Sequence, residues 1–345
     1  MHSFIARHLQ ALWWSPRPTA LAWLLWPLTW PYRALFALAQ WRARRLVRPL
    51  PVPLVVVGNL IVGGAGKTPT VVALVRALRL AGWHPGVVSR GYGRSPSAPR
   101  ALAPGSSAQD VGDEPALIAR LTGAPVWVGT QRAQVARRLC AAHPEVNILV
   151  SDDGLQHAAL PRQLEVLVFD ERGVGNGLLL PAGPLREPMW VSLTPKASVL
   201  YNATAPTTAL PGHLVQRRLG HAVPLPDWAA GHTAGGRALG DFGQRRCVAA
   251  AGIAAPERFF TMLEAAGLQI TRLPLPDHHD FAEAPWGDDA GDVFITEKDA
   301  IKLMQLAATP SRVRVWVVGL DFVLPDAFLR WLIDGLARHR TPPAP

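Results

Sequence analysis

Chemistry in this chain starts at Gly63-Gly64-Ala65-Gly66-Lys67-Thr68, a glycine turn closed by a lysine and a hydroxyl. Glycines let backbone N–H groups curl around phosphate oxygens, and a helix starting directly afterwards adds its partial positive charge. In that setting Lys67 reaches the β- and γ-phosphates and the Thr68 hydroxyl sits on Mg²⁺. The first glycine of the usual GxxxxGK[ST] spacing falls on Ile61, so the glycines cluster late and the turn is a variant form. Ile61, Val62, Gly63, Gly64, Ala65, Gly66, Lys67 and Thr68 are therefore the expected cradle for a nucleoside triphosphate. The flanks agree. Val55–Val57 reads as a buried strand, a helical pattern runs on through Leu80, and Pro69 fits the first helical turn.

The acids come next. Val146–Val150 reads as an apolar strand running into Ser151-Asp152-Asp153, the form of a Walker B element. Asp152 or Asp153 belongs beside Thr68, so that the two together hold Mg²⁺. Asp113 of VGDEP looks like a helix N-cap with Pro115 in the first turn, a role that needs no chemistry. SRGYGR, residues 89–94, sets two arginines at the carboxyl end of a strand, where open α/β sheets bind ligands. Asp277-His278-His279-Asp280 packs four polar groups into one turn, as a hydrogen-bonding or general-base partner or as a surface turn. Thr296-Glu297-Lys298-Asp299 resembles the guanine-reading [NT]KxD, but its lysine stands one position late, which weakens a GTPase reading.

These side chains need a scaffold of alternating strands and helices. Further strands are expected at Gly86–Val88, Val126–Val128, Leu164–Phe169 and Val199–Tyr201, with a helix from about Thr130 to Ala142. Pro96–Ser107 reads as a mobile loop, and Glu171–Trp190 as an ordered functional loop, too apolar for a linker. The second half repeats the alternation: strands at Cys247–Ala250, Gln269–Leu273, Val293–Thr296 and Val313–Val318. Its helices are expected near Pro256–Ala266, Asp299–Leu306 and Asp326–Arg340. Such alternation implies mostly parallel pairing. The expected organisation is an N-terminal segment over 1–48, a nucleotide-binding core over 49–202, a linker over 203–244 and a smaller α/β lobe over 245–345.

A chain of 345 residues, 49% hydrophobic, can bury both lobes. Its net charge of +10 points to an anionic partner: a membrane surface, a phosphorylated substrate or nucleic acid. Cys140 and Cys247 suggest neither a disulfide nor a metal site. Six of the thirteen tryptophans fall in the first 41 residues, followed by Arg42, Arg44, Arg45 and Arg48. Ala20–Ala39 is almost wholly apolar but broken by Pro27, Pro31 and Arg33. That composition fits a segment lying in the membrane interface, with a true span or a helix packed on protein as the other readings.

GNLIVGGAGKTP, SRGYGR, VGDEP, SDDGLQH, GLLLPAGPLREP, PDHHDF and TEKDA, in that order, cover nearly the whole chain. The ordered set closely resembles the tetraacyldisaccharide 4′-kinases of lipid A synthesis. The resemblance implies a P-loop α/β/α core with a mostly parallel sheet, a second smaller α/β lobe on a short β linker, and an N-terminal hydrophobic helix. It implies transfer of the γ-phosphate of ATP, with Mg²⁺, to the 4′-hydroxyl of an acylated glucosamine disaccharide 1-phosphate. It implies a peripheral protein on the cytoplasmic face of the inner membrane, whose partners are that lipid and the anionic surface, without nucleic acid. By motif, Lys67 and Thr68 match the phosphate loop, and Asp152 and Asp153 the Walker B acids. Asp113 matches the general base, His279 (or His278) its partner, and Glu187 an acid near the metal. Two rival classes stand beside this reading: a P-loop switch or metallochaperone-type NTPase, and a soluble small-molecule kinase.

Overall fold

The computed structural model describes residues 9, 11–91, 98–103, 106, 108–233, 235–243, 245–277, 279–304 and 313–339. The chain forms two compact units. The first comprises Met1–Pro104, Ile118–Val215 and Leu324–Pro345, and the second Gly105–Leu117 and Gln216–Val323.

The first unit holds β1 (Leu54–Gly58), β2 (Pro85–Ser89), β3 (Arg100–Ala101), β4 (Val126–Val128), β5 (Ile148–Asp152), β6 (Leu164–Asp170), β7 (Ala197–Asn202) and β8 (His213–Leu214). They make one eight-stranded sheet in the order β3-β4-β2-β5-β1-β6-β7-β8, parallel throughout except for β3 against β4. Strands β1, β2, β5 and β7 are buried at every residue, which is why they read as unbroken apolar runs rather than alternations. The expected strand at Val146–Val150 begins two residues later, because the Val146 N–H closes a turn onto the His143 carbonyl. The shift makes Asp152 the last residue of β5. Of the expected loop at Pro96–Ser107, Arg100–Ala101 form β3, while 96, 97, 104, 105 and 107 lie outside the described residues.

At the N-terminal end, α1 (Ala20–Leu25), a 3₁₀ turn (Trp26–Leu28) and α2 (Thr29–Arg44) follow one another, the turn falling at Pro27. A helix of 16 residues is about 24 Å long, short of the roughly 30 Å hydrocarbon core. Among the described residues no helix is long and apolar enough to cross a membrane. Side chains anchor the segment: Trp13 Nε1 donates to the Pro181 carbonyl (2.8 Å), Tyr32 Oη to the Arg186 carbonyl (2.6 Å) and Gln40 Nε2 to the Gln156 carbonyl (2.8 Å). Helices α3 (Lys67–Leu80) and α6 (Arg132–Ala142) pack on the sheet; α4 and α5 lie between them in sequence.

The second unit carries α4 (Ala108–Val111) and the start of α5 (Asp113–Thr122). Its sheet holds β9 (Gln216–Pro224), β10 (Arg246–Ala251), β11 (Gln269–Pro274), β12 (Asp292–Thr296) and β13 (Arg314–Val323) in the order β11-β10-β12-β13-β9. Only β9 runs antiparallel, against β13. Helices α7 (Leu225–Ala230), α8 (Pro256–Ala265) and α9 (Glu297–Leu303) complete it. The expected linker over 203–244 thus contains β9, α7 and the buried Trp228 and Phe242. Strand β9 reads QRRLGHAVP and is fully buried only at Ala222 and Val223, with polar side chains at most of its other positions, so it carries no apolar alternation. The last helix, α10 (Asp326–Ala337), belongs to the first unit: Gly335 lies against Leu164 and Trp331 Nε1 donates to the Pro195 carbonyl (3.2 Å).

Candidate active site

The phosphate loop is the turn between β1 and α3. Gly66 caps α3 at φ 92°, a left-handed conformation that costs other residues, and a Cβ there would strike Asn202 Nδ2. Asn202 in turn donates to the Ala65 carbonyl at 3.2 Å. Lys67 opens the helix with its side chain buried, its Nζ donating to Asn59 Oδ1 (3.1 Å) and to the Gly63 carbonyl (3.3 Å). The same ammonium lies 3.5 Å from Asp153 Oδ1. Arg172, salt-bridged to Asp170 at 2.8 Å, also donates to the Gly64 carbonyl and stacks over the Trp14 ring at 4.2 Å. Ile61 and Val62 open the same turn. Ile61 bridges to Leu185 and the Val62 N–H donates to the Pro184 carbonyl (2.9 Å).

The acids stand at the same sheet edge, since Val57 at the end of β1 pairs with Asp152 at the end of β5. Asp152 is buried and accepts from Ser89 Oγ at 3.0 Å, while Arg132 donates to its backbone carbonyl at 3.3 Å. Burial lowers the Arg132 pKa to about 10 against the pull of Asp152 and Asp153, so the guanidinium stays cationic at neutral pH. Asp153 sits at φ 49°, uncommon for an aspartate, with Arg186 Nη1 3.0 Å from its carboxylate. Burial would raise its pKa, but Lys67 and Arg186 outweigh that and hold it below the usual carboxylate range. His157 of the same motif has its pKa pushed down to about 4 by burial and by nearby arginines, so it is neutral at pH 7.

Glu187, matched to an acid near the metal, accepts from Gln156 Nε2 at 2.9 Å, and burial raises its pKa. Gln156 in turn accepts from Arg186, which connects Glu187 to Asp153 through two side chains. Glu187 also lines a 540 Å³ cleft with Phe36, Gln40, Arg44 and Trp190. Among the described residues no cluster of three His, Cys, Asp or Glu groups is placed to hold a metal ion. Mg²⁺ in nucleotide sites needs less: one or two carboxylates, a hydroxyl and the substrate's phosphates. The hard oxygen donors of Thr68, Asp152 and Asp153 fit that requirement.

In the second unit, Asp113 is the first helical residue of α5 rather than its N-cap. Gly112, at φ 95°, holds the cap position and takes the Ala116 N–H on its carbonyl. Asp113 Oδ2 lies 3.1 Å from Lys302 Nζ, and Lys302 also donates to the His279 carbonyl at 2.8 Å. The structure therefore joins Asp113 and His279 through Lys302. His279 Nδ1 accepts the Phe281 N–H (3.1 Å), which puts the proton of the neutral ring on Nε2. His278 and Tyr92–Arg94 of SRGYGR lie outside the described residues.

Asn59, Asn202, Arg172 and Lys302 were not singled out from sequence. Asn59 sits one residue past β1, and the other three arrive from distant segments, so local spacing carried no signal for them.

Comparison with known proteins meets this geometry at full length. Residues 21–337 match the family described as Tetraacyldisaccharide-1-P 4′-kinase. A tetraacyldisaccharide 4′-kinase of Leptothrix cholodnii is 48% identical over 332 residues, covering 96% of this chain and 94% of that protein. The one of Herminiimonas arsenicoxydans is 46% identical, covering 94% of each. The crystal structure of LpxK from Aquifex aeolicus in complex with ATP shares the fold, at TM-score 0.70 and 22% identity. The match covers 91% of this chain and 99% of that one. With the glycine turn, the paired aspartates and the Asp113 helix all inside the matched range, the chain belongs to the tetraacyldisaccharide-1-P 4′-kinase family.

Proposed function

We propose that this chain transfers the γ-phosphate of ATP to the 4′-hydroxyl of an acylated glucosamine disaccharide 1-phosphate. The observation that carries the reading is the family match over residues 21–337, on a chain whose glycine turn ends in a buried Lys67. No observation favours an NTPase switch or a soluble small-molecule kinase. Phosphoryl transfer asks the protein mainly for positioning and charge stabilisation. Gly63–Thr68 bind the β- and γ-phosphates, Lys67 aims its charge at the transferring group, and Asn59 and Asp153 hold that ammonium in place. Thr68, Asp152 and Asp153 would hold Mg²⁺, which neutralises charge developing on the transferred phosphoryl group. Asp113 accepts the proton of the attacking hydroxyl, and His279 offers Nε2–H as a hydrogen-bond donor to orient it. The test is acceptor-dependent ADP release. Release should rise sharply with the disaccharide 1-phosphate and not with the same lipid already phosphorylated at its 4′-oxygen. Equal release with both would sink the reading.

Asp152→Asn and Asp153→Asn bear on the metal. Each is expected to raise the Mg²⁺ concentration for half-maximal rate by at least about tenfold, since a carboxylate ligand is exchanged for a neutral amide. Mg²⁺ titrations that overlay wild type for both variants would refute the assignment.

Membrane association rests on the N-terminal segment. Eleven of the fifteen exposed large apolar side chains among the described residues lie between Leu21 and Val47, with Trp23, Leu24 and Trp30 at 55%, 74% and 61% exposure. Contiguous apolar exposure of that kind marks an interaction surface, and the arginines beside it suit anionic lipid. A triple Trp23→Ser, Leu24→Ser, Trp30→Ser variant should lose at least about tenfold in partitioning to anionic vesicles, because each large apolar group contributes about 1.5–3 kcal/mol when buried. ATP binding should stay as it was. Undiminished flotation of the variant would move the anchor elsewhere.

A further inference from the structure

The TEKDA stretch and the lysine after it have no part in the chemistry above. In the structure they build the support of the His279 turn. Thr296 caps α9, its Oγ1 accepting the Asp299 N–H and donating to Asp299 Oδ2 at 2.7 Å. Lys298 Nζ reaches Asp277 Oδ1 at 3.3 Å. Asp299 accepts the Gly252 N–H at 3.2 Å, and a Cβ on Gly252 would already touch His279 Cβ at 3.1 Å. Lys302, one turn further along α9, makes the remaining link to both Asp113 and the His279 carbonyl.

We propose that Lys302 is a positioning residue for phosphoryl transfer: a buried cation that orients the Asp113 carboxylate and ties it to the His279 turn. The proposal rests on reading Asp113 as the proton acceptor. Exposed ion pairs contribute little, because water screens them and two mobile side chains must be ordered. This pair differs: the Lys302 side chain is 7% exposed and that of Asp113 16%. Solvent competes poorly there, and loss of the cation leaves a carboxylate in a low-dielectric setting with one oriented donor fewer. The ammonium also acts at two points at once. Its bond to a backbone carbonyl fixes Nζ relative to the turn, so the Asp113 Oδ2 it holds is fixed to that turn as well. A carboxylate displaced by about 1 Å from its working position loses about 10²-fold in rate.

The experiment measures kcat, KM for ATP and melting temperature for Lys302→Met, Lys302→Arg and Asp113→Asn, and for Lys302→Met combined with Asp113→Asn. Lys302→Met should lower kcat between about 10- and 100-fold with KM for ATP within about twofold of wild type. Lys302→Arg, which keeps the charge, should recover part of the loss. In the Asp113→Asn background, Lys302→Met should cost less than about twofold more, since its effect passes through Asp113. A lysine that serves only folding would lower kcat by the same factor in both backgrounds, and that result overturns the proposal. So does wild-type kcat in Lys302→Met beside an inactive Asp113→Asn. Should Lys302→Met fail to fold, Lys302→Gln, which keeps a donor for the His279 carbonyl and removes only the charge, reads the same cycle. Wild-type kcat in Asp113→Asn removes the proton acceptor reading itself, and Lys302 loses its role with it.

Discussion

The Lys67→Ala variant is expected to lose about 10²–10³-fold in kcat, the scale set by removing a group aimed at a developing anion in a partly desolvated site. Lys67 is the only lysine of the glycine turn, and its buried Nζ is held by Asn59, the Gly63 carbonyl and Asp153. The fold should survive the change. Asp153 keeps Arg186 at 3.0 Å, so no buried carboxylate is stranded, and Gly66 still opens α3. Alanine is moreover a strong helix former at the position it would take. Circular dichroism and melting near wild type, together with the lost turnover, are the expected pair of results. Undiminished kcat in a folded variant would remove the phosphate-loop assignment.

Asp113→Asn should cut kcat by about 10²–10⁴-fold, the range for a positioned general base, with ATP binding little changed. Asparagine keeps the shape and cannot take a proton, so a loss confined to kcat isolates the proton transfer from nucleotide binding. His279→Ala should lose less, because in the proposed role its Nε2–H only orients the carboxylate. The double variant should lose well under the product of the two single losses. Strictly multiplicative losses would show two residues acting independently.

How far the sequence reveals these parts follows from where their interactions lie. Lys67 and Thr68 open the helix after the glycine turn and Asp152 ends a strand, and such strand–turn positions are set locally, so spacing alone located them. The parallel strands β1, β2, β5 and β7 announced themselves as apolar runs because both faces are covered. Strand β9 did not, since in its QRRLGH half Gln216, Arg218 and His221 are exposed, Leu219 is only partly buried, and full burial comes only at Ala222 and Val223. Lys302 owes its role to Asp113, 189 positions away in the numbering. Such pairings have no signature along the chain. Asp113 shows both cases at once: its helix start was legible, while Gly112 in fact caps the helix and frees the carboxylate to meet Lys302.

The most direct test of the central claim follows the label from γ-³²P-ATP in the presence of a tetraacyl disaccharide 1-phosphate, beside a reaction without lipid. The account predicts label in the lipid fraction, attached at the 4′-oxygen, with little inorganic phosphate released when the acceptor is left out. Label appearing only as inorganic phosphate, at the same rate with and without the lipid, would contradict it.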